Sequence, residues 1–340
     1  MSNIVALDAA VAAYCLEHWQ HGHAPLPVAP PAAPAVSIVT PVLNRRDWIE
    51  RAVGSATCRT PDAVEHVVVD GGSTDGTLDV LTRYPHVRLV EAPGSSSNEA
   101  MNIGIAAARA PVLGFLSSDD AYAPGTLDAV LAHVGEAGEG FSIGACRAFM
   151  IEGAGVSEIV HSWSPPAQLV ELLFGTPGFN AWFFRRDLFA RFGHFDPAVD
   201  AAADRDFMLR LHAAGVYARA IPDGAYLYTR HSGSRTLDPA AALAERMLAD
   251  HVVIARHFLR VETVGAEVRD WHAWELYRLA RLRAVRGAAI AAIAAALRGL
   301  MTDPLWPLRV CRARAYERRL ADAARKDQRP PVASRIAPLT

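Results

Sequence analysis

The sequence predicts an α/β fold, with a mainly parallel sheet flanked by helices and a C-terminal helical extension. Strand and helix patterns alternate regularly between residues 36 and 116. Such alternation is typical of parallel strands joined by crossover helices, which bind ligands at the carboxyl ends of the strands. From about residue 239 to residue 326 the pattern is helical. We therefore expect a sheet-based unit followed by a helical one.

Apolar runs and helical spacing predict the individual elements. In the alternating part the strands are 36–40, 64–70, 87–91 and 111–116, and the helices are 47–56, 74–83 and 97–108. Beyond residue 120 we predict helices at 123–133, 167–174 and 202–213, with short strands at 141–149, 182–184, 216–220 and 225–228. Residues 4–19 are predicted to form an Ala-rich helix, and the prolines of 23–35 predict a linker.

The composition indicates a globular protein without a general affinity for polyanions. The 340 residues are 51% apolar and 21% charged, and the net charge is -2. Residues 267–340 nevertheless hold 15 basic and 7 acidic residues, a net charge of +8. The N-terminus lacks a signal-peptide pattern, and the longest apolar stretch, 287–297, is shorter than the roughly 20 residues of a membrane span. The four cysteines show no ligand spacing. We predict a cytoplasmic protein that does not bind nucleic acid.

Two adjacent carboxylates, Asp119 and Asp120, end the apolar run of the fourth predicted strand. Two like charges about 4 Å apart repel by roughly 4 kcal/mol at an effective dielectric near 20, so the pair needs a cation or a shared proton. A divalent metal that carries a phosphate ligand meets this need. The alternative is a turn or a helix cap, because Asp and Ser favour both.

A second polar cluster follows the strand 64–70. Gly71 and Gly72 permit a tight turn, and Asp70, the last strand residue, offers a carboxylate that can accept from a ring N–H such as that of uracil. The alternative is a plain glycine-rich turn between a strand and a helix.

Four segments in order, 37–45, 68–77, 99–105 and 115–120, resemble the successive blocks of glycosyltransferase family 2. The likeness extends from about residue 36 to residue 228, and the subgroup it most resembles builds bacterial surface polysaccharides such as colanic acid. The resemblance implies a glycosyltransferase A-type fold, a nucleotide-diphospho-sugar donor, a divalent metal (Mn or Mg) and inversion at the anomeric carbon.

The resemblance also implies roles for residues of the first half. The expected nucleotide-sugar contacts are Thr40, Pro41, Asn44, Asp70, Gly71, Asn102, Ser118 and Asp119. The acidic triplet of the fold falls on residues 117–119, so Ser117 replaces one of its acids. Asp119 is then the primary metal ligand, with Asp120 beside it and His231 as a further candidate from the second half. A surface-loop role for His231 is equally open.

In the second half, Asp204 matches the first aspartate of the family's second acidic motif, which is the general base. Trp182 and Asp206 are expected at the acceptor site. Two alternatives remain open: Trp182 as a core aromatic, and Asp206 as the partner of Arg210 at i+4.

The likeness and the helical pattern divide the sequence into four predicted segments. Residues 1–35 form the N-terminal helix and linker, and 36–238 form the catalytic domain, with a nucleotide-sugar half (36–122) and an acceptor half (123–238). Residues 239–326 form the helical region, and 327–340 a tail.

We expect an inverting, metal-dependent glycosyltransferase that uses a nucleotide-sugar, with UDP as the first choice, and a glycan or polyprenyl-linked glycan acceptor. The alternative is a catalytically silent nucleotide-sugar-binding protein of the same fold. The basic C-terminal helices predict either a peripheral contact with the inner face of the plasma membrane or a homodimer interface.

Overall fold

The computed structural model describes residues 4–6, 29–153, 155–159, 161, 163–233, 243–261 and 265–326. Ten strands in these residues form one mixed sheet. They are β1 (Ile4–Ala6), β2 (Val36–Val42), β3 (Val64–Asp70), β4 (Val87–Glu91), β5 (Val112–Phe115), β6 (Ala121–Tyr122), β7 (Ile143–Glu152), β8 (Gly155–Ile159), β9 (Trp182–Arg185) and β10 (Arg219–Thr229).

Helices flank the sheet and form the C-terminal region. Those before residue 234 are α1 (Arg46–Ser55), α2 (Thr77–Leu81), α3 (Ser97–Ala107), α4 (Thr126–Ala137), α5 (Pro165–Phe174), α6 (Asp187–Phe192) and α7 (Ala203–Ala213). Those after it are α8 (Leu243–Phe258), α9 (Gly265–Val285), α10 (Ala289–Thr302) and α11 (Trp306–Lys326).

The strand order places the ends of β2 and β5 next to each other. The order is β1-β8-β7-β9-β5-β2-β3-β4, and β10 pairs with β6 and β7. The chain runs outward from β2 through β3 to β4, then returns to add β5 on the other side of β2, all in parallel. In open α/β sheets, ligands bind at such a reversal, beyond the carboxyl ends of the strands.

The predicted α/β fold is confirmed, and the sheet is parallel in its first half and mixed in its second. β9 lies antiparallel between β5 and β7, whereas β10 lies parallel to β7. The two strands predicted at 216–220 and 225–228 are one strand, β10, whose register shifts between Ile221 and Ala225. That strand carries the chain back to the carboxyl edge of β5.

Close packing of α3 on β2 fixes the start of α3 at this edge. Gly104 lies in α3 against Val39 of β2, and a Cβ at position 104 would clash with the Val39 side chain. Ser96 caps the helix by accepting from the Glu99 N–H, while the Glu99 carboxylate accepts from the Ser96 N–H. This capping box is visible in the sequence as Ser-x-x-Glu.

The prediction of a helix over residues 4–19 is wrong at its start. Residues 4–6 form β1, which pairs antiparallel with β8 at the edge of the sheet. Unpaired backbone groups at a sheet edge recruit a neighbouring segment, and this outweighs the helix propensity of a short Ala-rich stretch. Residues 7–19 lie outside the described residues. Residues 29–35 contain no helix or strand, in line with the prolines there.

The C-terminal helices pack on one another and on α5 and β1 of the sheet unit. α9 contacts α8, α10 and α11, and α11 contacts α5 and β1. The Tyr316 ring of α11 stacks on Phe174 of α5 with 5.1 Å between centroids. None of the helices described combines the length and apolar character that a membrane crossing requires. The boundary predicted at residue 238 and the tail at 327–340 lie outside the described residues.

Candidate active site

An open cleft of about 700 Å³ lies beyond the carboxyl ends of β2 and β5. Its walls are the loops that follow β2 to β5, the segment 176–180 before β9, and the start of α7. The predicted site residues that line it are Pro41, Asn44, Gly71, Ser118, Asp119, Asp120 and Asp204. The structure therefore gathers the predicted base and the predicted metal ligand at one cleft.

Asp119 and His231 contact each other at this cleft. The distance from Asp119 Oδ2 to His231 Nε2 is 3.0 Å, and each side chain is 16% exposed. Nδ1 of His231 accepts from the Gly233 N–H at 3.1 Å. In a neutral ring Nε2 therefore carries the proton and donates it to Asp119. The two residues offer one carboxylate and one imidazole from opposite halves of the sheet.

Helix α1 holds this pair in place through two side chains that the sequence analysis missed. The Trp48 ring stacks on His231, with 4.3 Å between centroids and 15° between planes. Arg51 donates to the Asp119 carbonyl at 2.7 Å. Burial lowers the pKa of Arg51 to about 10, so it keeps its charge at neutral pH. Their spacing in the sequence was the available signal, because residues three positions apart lie on the same face of a helix.

Asp120 is an anchor of the loop, which corrects the prediction that it holds the metal. Its Oδ1 accepts from the Thr229 N–H at 2.7 Å, and its Oδ2 accepts from the Tyr226 hydroxyl at 2.8 Å. Burial, reinforced by the charge of Asp119, raises the pKa of Asp120 to about 8. Asp120 contributes to the cleft lining, yet both of its carboxylate oxygens are occupied by bonds from β10.

Ser117, which replaces an acid of the triplet, also links the two halves. Its hydroxyl accepts from the Asn180 side-chain amide at 2.8 Å, and its N–H donates to the Tyr226 hydroxyl at 3.0 Å. The N–H of Asn180 donates in turn to the Tyr228 hydroxyl. Asn180 and Tyr228 line the cleft. The only sequence signal for this was their position close to segments that were predicted to form the site.

Asp70, the last residue of β3, holds one buried carboxylate oxygen without a partner among the described residues, and it is not among the residues that line the cleft. Asp70 is 2% exposed, and its Oδ2 accepts from the N–H groups of Gly72 and Ser73. In the part of the chain described, its Oδ1 has no hydrogen-bond partner. A buried acceptor left unpaired costs about 1–3 kcal/mol, which a ligand N–H would recover. Asp70 thus keeps the predicted capacity to accept from a base.

Asn44 shapes the same end of the cleft through its backbone. It has a φ of 52°, its Oδ1 accepts from the Thr74 N–H, and its N–H donates to the Ser73 hydroxyl. Asn tolerates the left-handed region better than most residues do. The loops that follow β2 and β3 are therefore fastened together beside Pro41 and Gly71.

Thr40 does not reach the cleft, which corrects its predicted nucleotide contact. Its side chain is fully buried in β2, and its hydroxyl lies 2.8 Å from Nε2 of His66 in the adjacent strand. Alternation along the strand turns Thr40 towards the interior, while Pro41 lines the cleft.

Three further predicted residues are held away from the cleft. Asp206 pairs with Arg210 at 3.0 Å, as the i+4 alternative predicted. Trp182 is a core aromatic, 6% exposed. The amide of Asn102 both donates to and accepts from the backbone of Phe195. Each serves packing or chain fastening, and none of the three is among the residues that line the cleft.

Asp204 lines the cleft at the start of α7. Its Oδ1 accepts from the Arg205 N–H at 2.7 Å. Burial raises the pKa of Asp204 above its ordinary value. A carboxylate of raised pKa is a stronger acceptor for the proton of a hydroxyl group.

The start of α3 is a further part of the cleft that the sequence analysis did not assign. Ser95, Ser96 and Ser97 line the cleft. The N-terminus of an α-helix carries a partial positive charge, which favours anions, while the capping box already engages the N–H groups of Ser96 and Glu99. This end of the cleft therefore suits a phosphate group.

Comparison with known families and proteins agrees with the geometry. Residues 37–189 match the family model described as "Glycosyl transferase family 2". The chain is 32% identical over 187 residues to a PGL/p-HBAD biosynthesis glycosyltransferase of Mycobacterium tuberculosis. The aligned region covers 53% of this chain and 70% of that protein. It is 31% identical over 135 residues to TuaG of Bacillus subtilis, named for teichuronic acid biosynthesis, over 38% of this chain and 53% of TuaG. The chain thus spans about half of the latter relative.

Solved structures share the fold. S. aureus TarS in complex with UDP-GlcNAc superposes with a TM-score of 0.57 at 19% identity, over 86% of this chain and 92% of that chain. The mannosyltransferase of Pyrobaculum calidifontis in complex with GDP-Man and Mn²⁺ gives 0.53 at 18% identity, over 94% and 99%. The predicted glycosyltransferase A-type fold and family resemblance are confirmed.

Replacing Tyr226 by Phe should destabilise the loop that carries Asp119. The fully buried Tyr226 hydroxyl serves both Asp120 and Ser117, so Tyr226→Phe leaves a carboxylate oxygen and an N–H unpaired. We expect a loss of about 1–3 kcal/mol in the free energy of unfolding, measured in urea. Tyr122→Phe is the control, because its buried hydroxyl donates only to the Phe115 carbonyl. Equal losses in the two variants would contradict the anchoring role.

Proposed function

The chain belongs to glycosyl transferase family 2, and from this premise we propose an inverting, metal-dependent transfer of a sugar from a nucleotide-diphospho-sugar to a glycan acceptor. The observation that carries the proposal is that Asp204 and Asp119 line one cleft, with His231 in contact with Asp119. A base and a cation site facing one cavity are the two groups that such a displacement requires.

The donor is proposed to lie along the carboxyl ends of β2, β3 and β5. Asp70 would accept from the base, and the loops of Pro41 and Gly71 would lie against the nucleoside. The start of α3 supplies N–H groups that suit the diphosphate. UDP is our first choice of nucleotide, supported by the fit of one carboxylate acceptor to the single ring N–H of uracil.

The residues present fit a divalent metal that is held jointly by the protein and the diphosphate. Asp119 offers a carboxylate oxygen, and His231 would offer Nε2 in the tautomer with its proton on Nδ1, which would replace the bond that Nδ1 accepts from the Gly233 N–H. In the part of the chain described, no group of three or more His, Cys, Asp or Glu side chains could hold a metal on its own. Mg²⁺ prefers oxygen ligands, so the imidazole favours Mn²⁺. When bound, the metal would neutralise the charge of the departing diphosphate.

Asp204 is proposed to accept the proton of the attacking hydroxyl. Its carboxylate stands in the acceptor half of the cleft, near Tyr228 and the segment 176–180. Inversion requires the acceptor hydroxyl to attack from the face of the sugar opposite the leaving diphosphate, and a base on that side activates it.

The acceptor is proposed to be a glycan or lipid-linked glycan of bacterial surface polysaccharide synthesis. The family relatives named for surface polymers support this class. We propose a cytoplasmic enzyme that works at the inner face of the plasma membrane.

An apolar face of the C-terminal helices supports the membrane contact. The large apolar side chains exposed there are Ile290, Ile293, Leu297, Met301, Leu305 and Leu308. With a net charge of +8 in residues 267–340, a second copy of this face would repel the first, whereas an anionic lipid surface would attract it. We therefore prefer the membrane to the homodimer.

Replacing Asp119 by Ala should remove metal-dependent donor binding. Titration calorimetry with UDP and Mn²⁺ should show a loss of affinity of at least roughly 10- to 100-fold. Removing a residue that merely supports a metal ligand already lowers metal affinity by that factor, and Asp119 is the proposed ligand itself. Asp206→Asn is the control, because Asp206 pairs with Arg210 away from the cleft. An unchanged UDP titration in Asp119→Ala would refute the assignment.

Replacing Asp204 by Asn should abolish transfer and leave donor affinity nearly intact. Loss of a general base costs about 10²- to 10⁴-fold in rate, while the residues proposed to hold the donor are unchanged. The assay measures nucleotide release from UDP-sugars with glycan acceptors and Mn²⁺. Surviving transfer means that the base is elsewhere. Binding of nucleotide-sugar by the unaltered protein without turnover would favour the catalytically silent alternative.

The protein should float with vesicles of phosphatidylglycerol at low salt, and the double variant Ile290→Ser/Met301→Ser should lose this binding. Those two side chains are 87% and 86% exposed. Val253→Ser is the control, because Val253 is also exposed but lies on α8. Failure of the intact protein to float, or dimerisation lost in the double variant, would reject the membrane contact.

A further inference from the structure

One arginine lines the cleft in the part of the chain described, and it is Arg45. Three carboxyl groups line the same cleft, those of Asp119, Asp120 and Asp204. A cavity with this excess of acids repels an anionic ligand unless cations offset them. The diphosphate of the proposed donor is such an anion, so the position of Arg45 in the cleft matters for donor binding.

The backbone of Arg45 is fixed beside the loops proposed to hold the nucleoside. Arg45 directly precedes helix α1, and its carbonyl accepts from the N–H groups of Trp48 and Ile49 in the first turn. Its own N–H donates to the Thr77 hydroxyl at 2.9 Å. The preceding residue, Asn44, joins the loops that follow β2 and β3. The side chain of Arg45 therefore starts at the nucleoside end of the cleft.

The guanidinium of Arg45 reaches the loop that carries His231. It donates to the Gly233 carbonyl at 3.3 Å and to the Asn44 carbonyl at 3.2 Å. Gly233 lies two residues after His231, and its N–H donates to Nδ1 of that ring. Arg45 thus extends from the nucleoside loops towards the candidate metal ligands. In a metal-bound nucleoside diphosphate, the phosphate groups occupy this interval between the nucleoside and the metal.

The contacts of the Arg45 guanidinium leave its positive charge available to a ligand. Both printed acceptors are peptide carbonyls, which carry no full negative charge, and the side chain is half-buried. Arg51 and Arg230 are also close to this loop, but neither lines the cleft: Arg51 donates to the Asp119 carbonyl, and Arg230 pairs with Glu152. A phosphate group offers a full charge and two oxygens that match the planar fork of an arginine.

We propose that Arg45 binds the diphosphate of the donor and stabilises its negative charge as the sugar departs. The inference rests on the proposed function, because it assumes a nucleotide-diphospho-sugar. The bond from the anomeric carbon to the diphosphate oxygen breaks, and its electron pair stays on that oxygen. The acceptor oxygen bonds to the carbon and releases its proton to Asp204. A cation beside the departing oxygens lowers the free energy of this step.

The test compares a nucleoside diphosphate with its nucleoside. Ligand-observed NMR titration measures the dissociation constants of UDP and uridine, and of GDP and guanosine in parallel, with Mg²⁺ as a diamagnetic substitute for Mn²⁺. Arg45→Gln should weaken binding of the diphosphate by roughly 10- to 100-fold, the cost of losing a hydrogen bond between charged groups. Binding of the nucleoside should stay nearly unchanged, because it has no phosphate for Arg45 to contact.

Arg46→Gln is the matched control, because it removes the same charge one residue away. The Arg46 side chain is exposed and does not line the cleft. Its loss should change diphosphate affinity by no more than about twofold, as is typical of exposed charges. Arg45→Lys keeps the charge without the fork, and we expect it to lose less affinity than Arg45→Gln.

Two results would overturn the role of Arg45. Equal losses of diphosphate affinity in Arg45→Gln and Arg46→Gln would indicate a general effect of charge. A loss of nucleoside affinity in Arg45→Gln as large as the loss for the diphosphate would indicate a structural role.

The nucleosides also separate this inference from the proposed function. If the unaltered protein binds a nucleoside and its diphosphate equally well, the nucleoside site stands and the role of Arg45 is refuted. A protein that binds none of these ligands refutes the proposed donor class, and the role of Arg45 with it.

Discussion

The buried carboxylate of Asp120 joins the two halves of the cleft. It accepts from Tyr226 and from the backbone of Thr229 on β10, although it belongs to the loop after β5. Since Asp119 precedes it and His231 follows β10, this one junction sets the distance between the two candidate metal ligands. Burial, reinforced by the charge of Asp119, raises the pKa of Asp120 to about 8, so the charge of this junction changes with pH near neutrality. The two adjacent carboxylates therefore differ in role: Asp119 is the candidate metal ligand at the cleft, and Asp120 holds the loop to β10.

Much of the fold could be predicted because local patterns determine it. The strand Val64–Asp70 is buried at every residue, and its continuous apolar character gave both of its ends correctly. The strand Ile4–Ala6 could not be predicted, since its pairing with β8 is a contact between residues more than 150 positions apart. The same holds for β10, where two expected strands are one because β7 supplies a continuous neighbour along its length.

The site was predictable in its chemistry and less so in its geometry. Strand order and the family motifs predicted that Asp119 and Asp204 share one cleft, and both residues line it. Thr40 and Trp182 were assigned to the site by position in a motif, yet their side chains face the core. Arg205 was passed over because nothing in the sequence reveals that its guanidinium donates to the carbonyls at the end of α5. Tertiary partners decide which polar residue is a ligand contact and which is a support.

The central claim is that Asp119 and His231 together bind a divalent metal at the donor site. The most direct measurement is pulsed electron paramagnetic resonance of Mn²⁺ bound to the protein in the presence of UDP. The account predicts a nitrogen coupling from one imidazole ligand, which His231→Gln abolishes while phosphorus couplings from UDP remain. A spectrum with phosphorus couplings and no nitrogen coupling in the unaltered protein would contradict it, because the metal would then be held without His231.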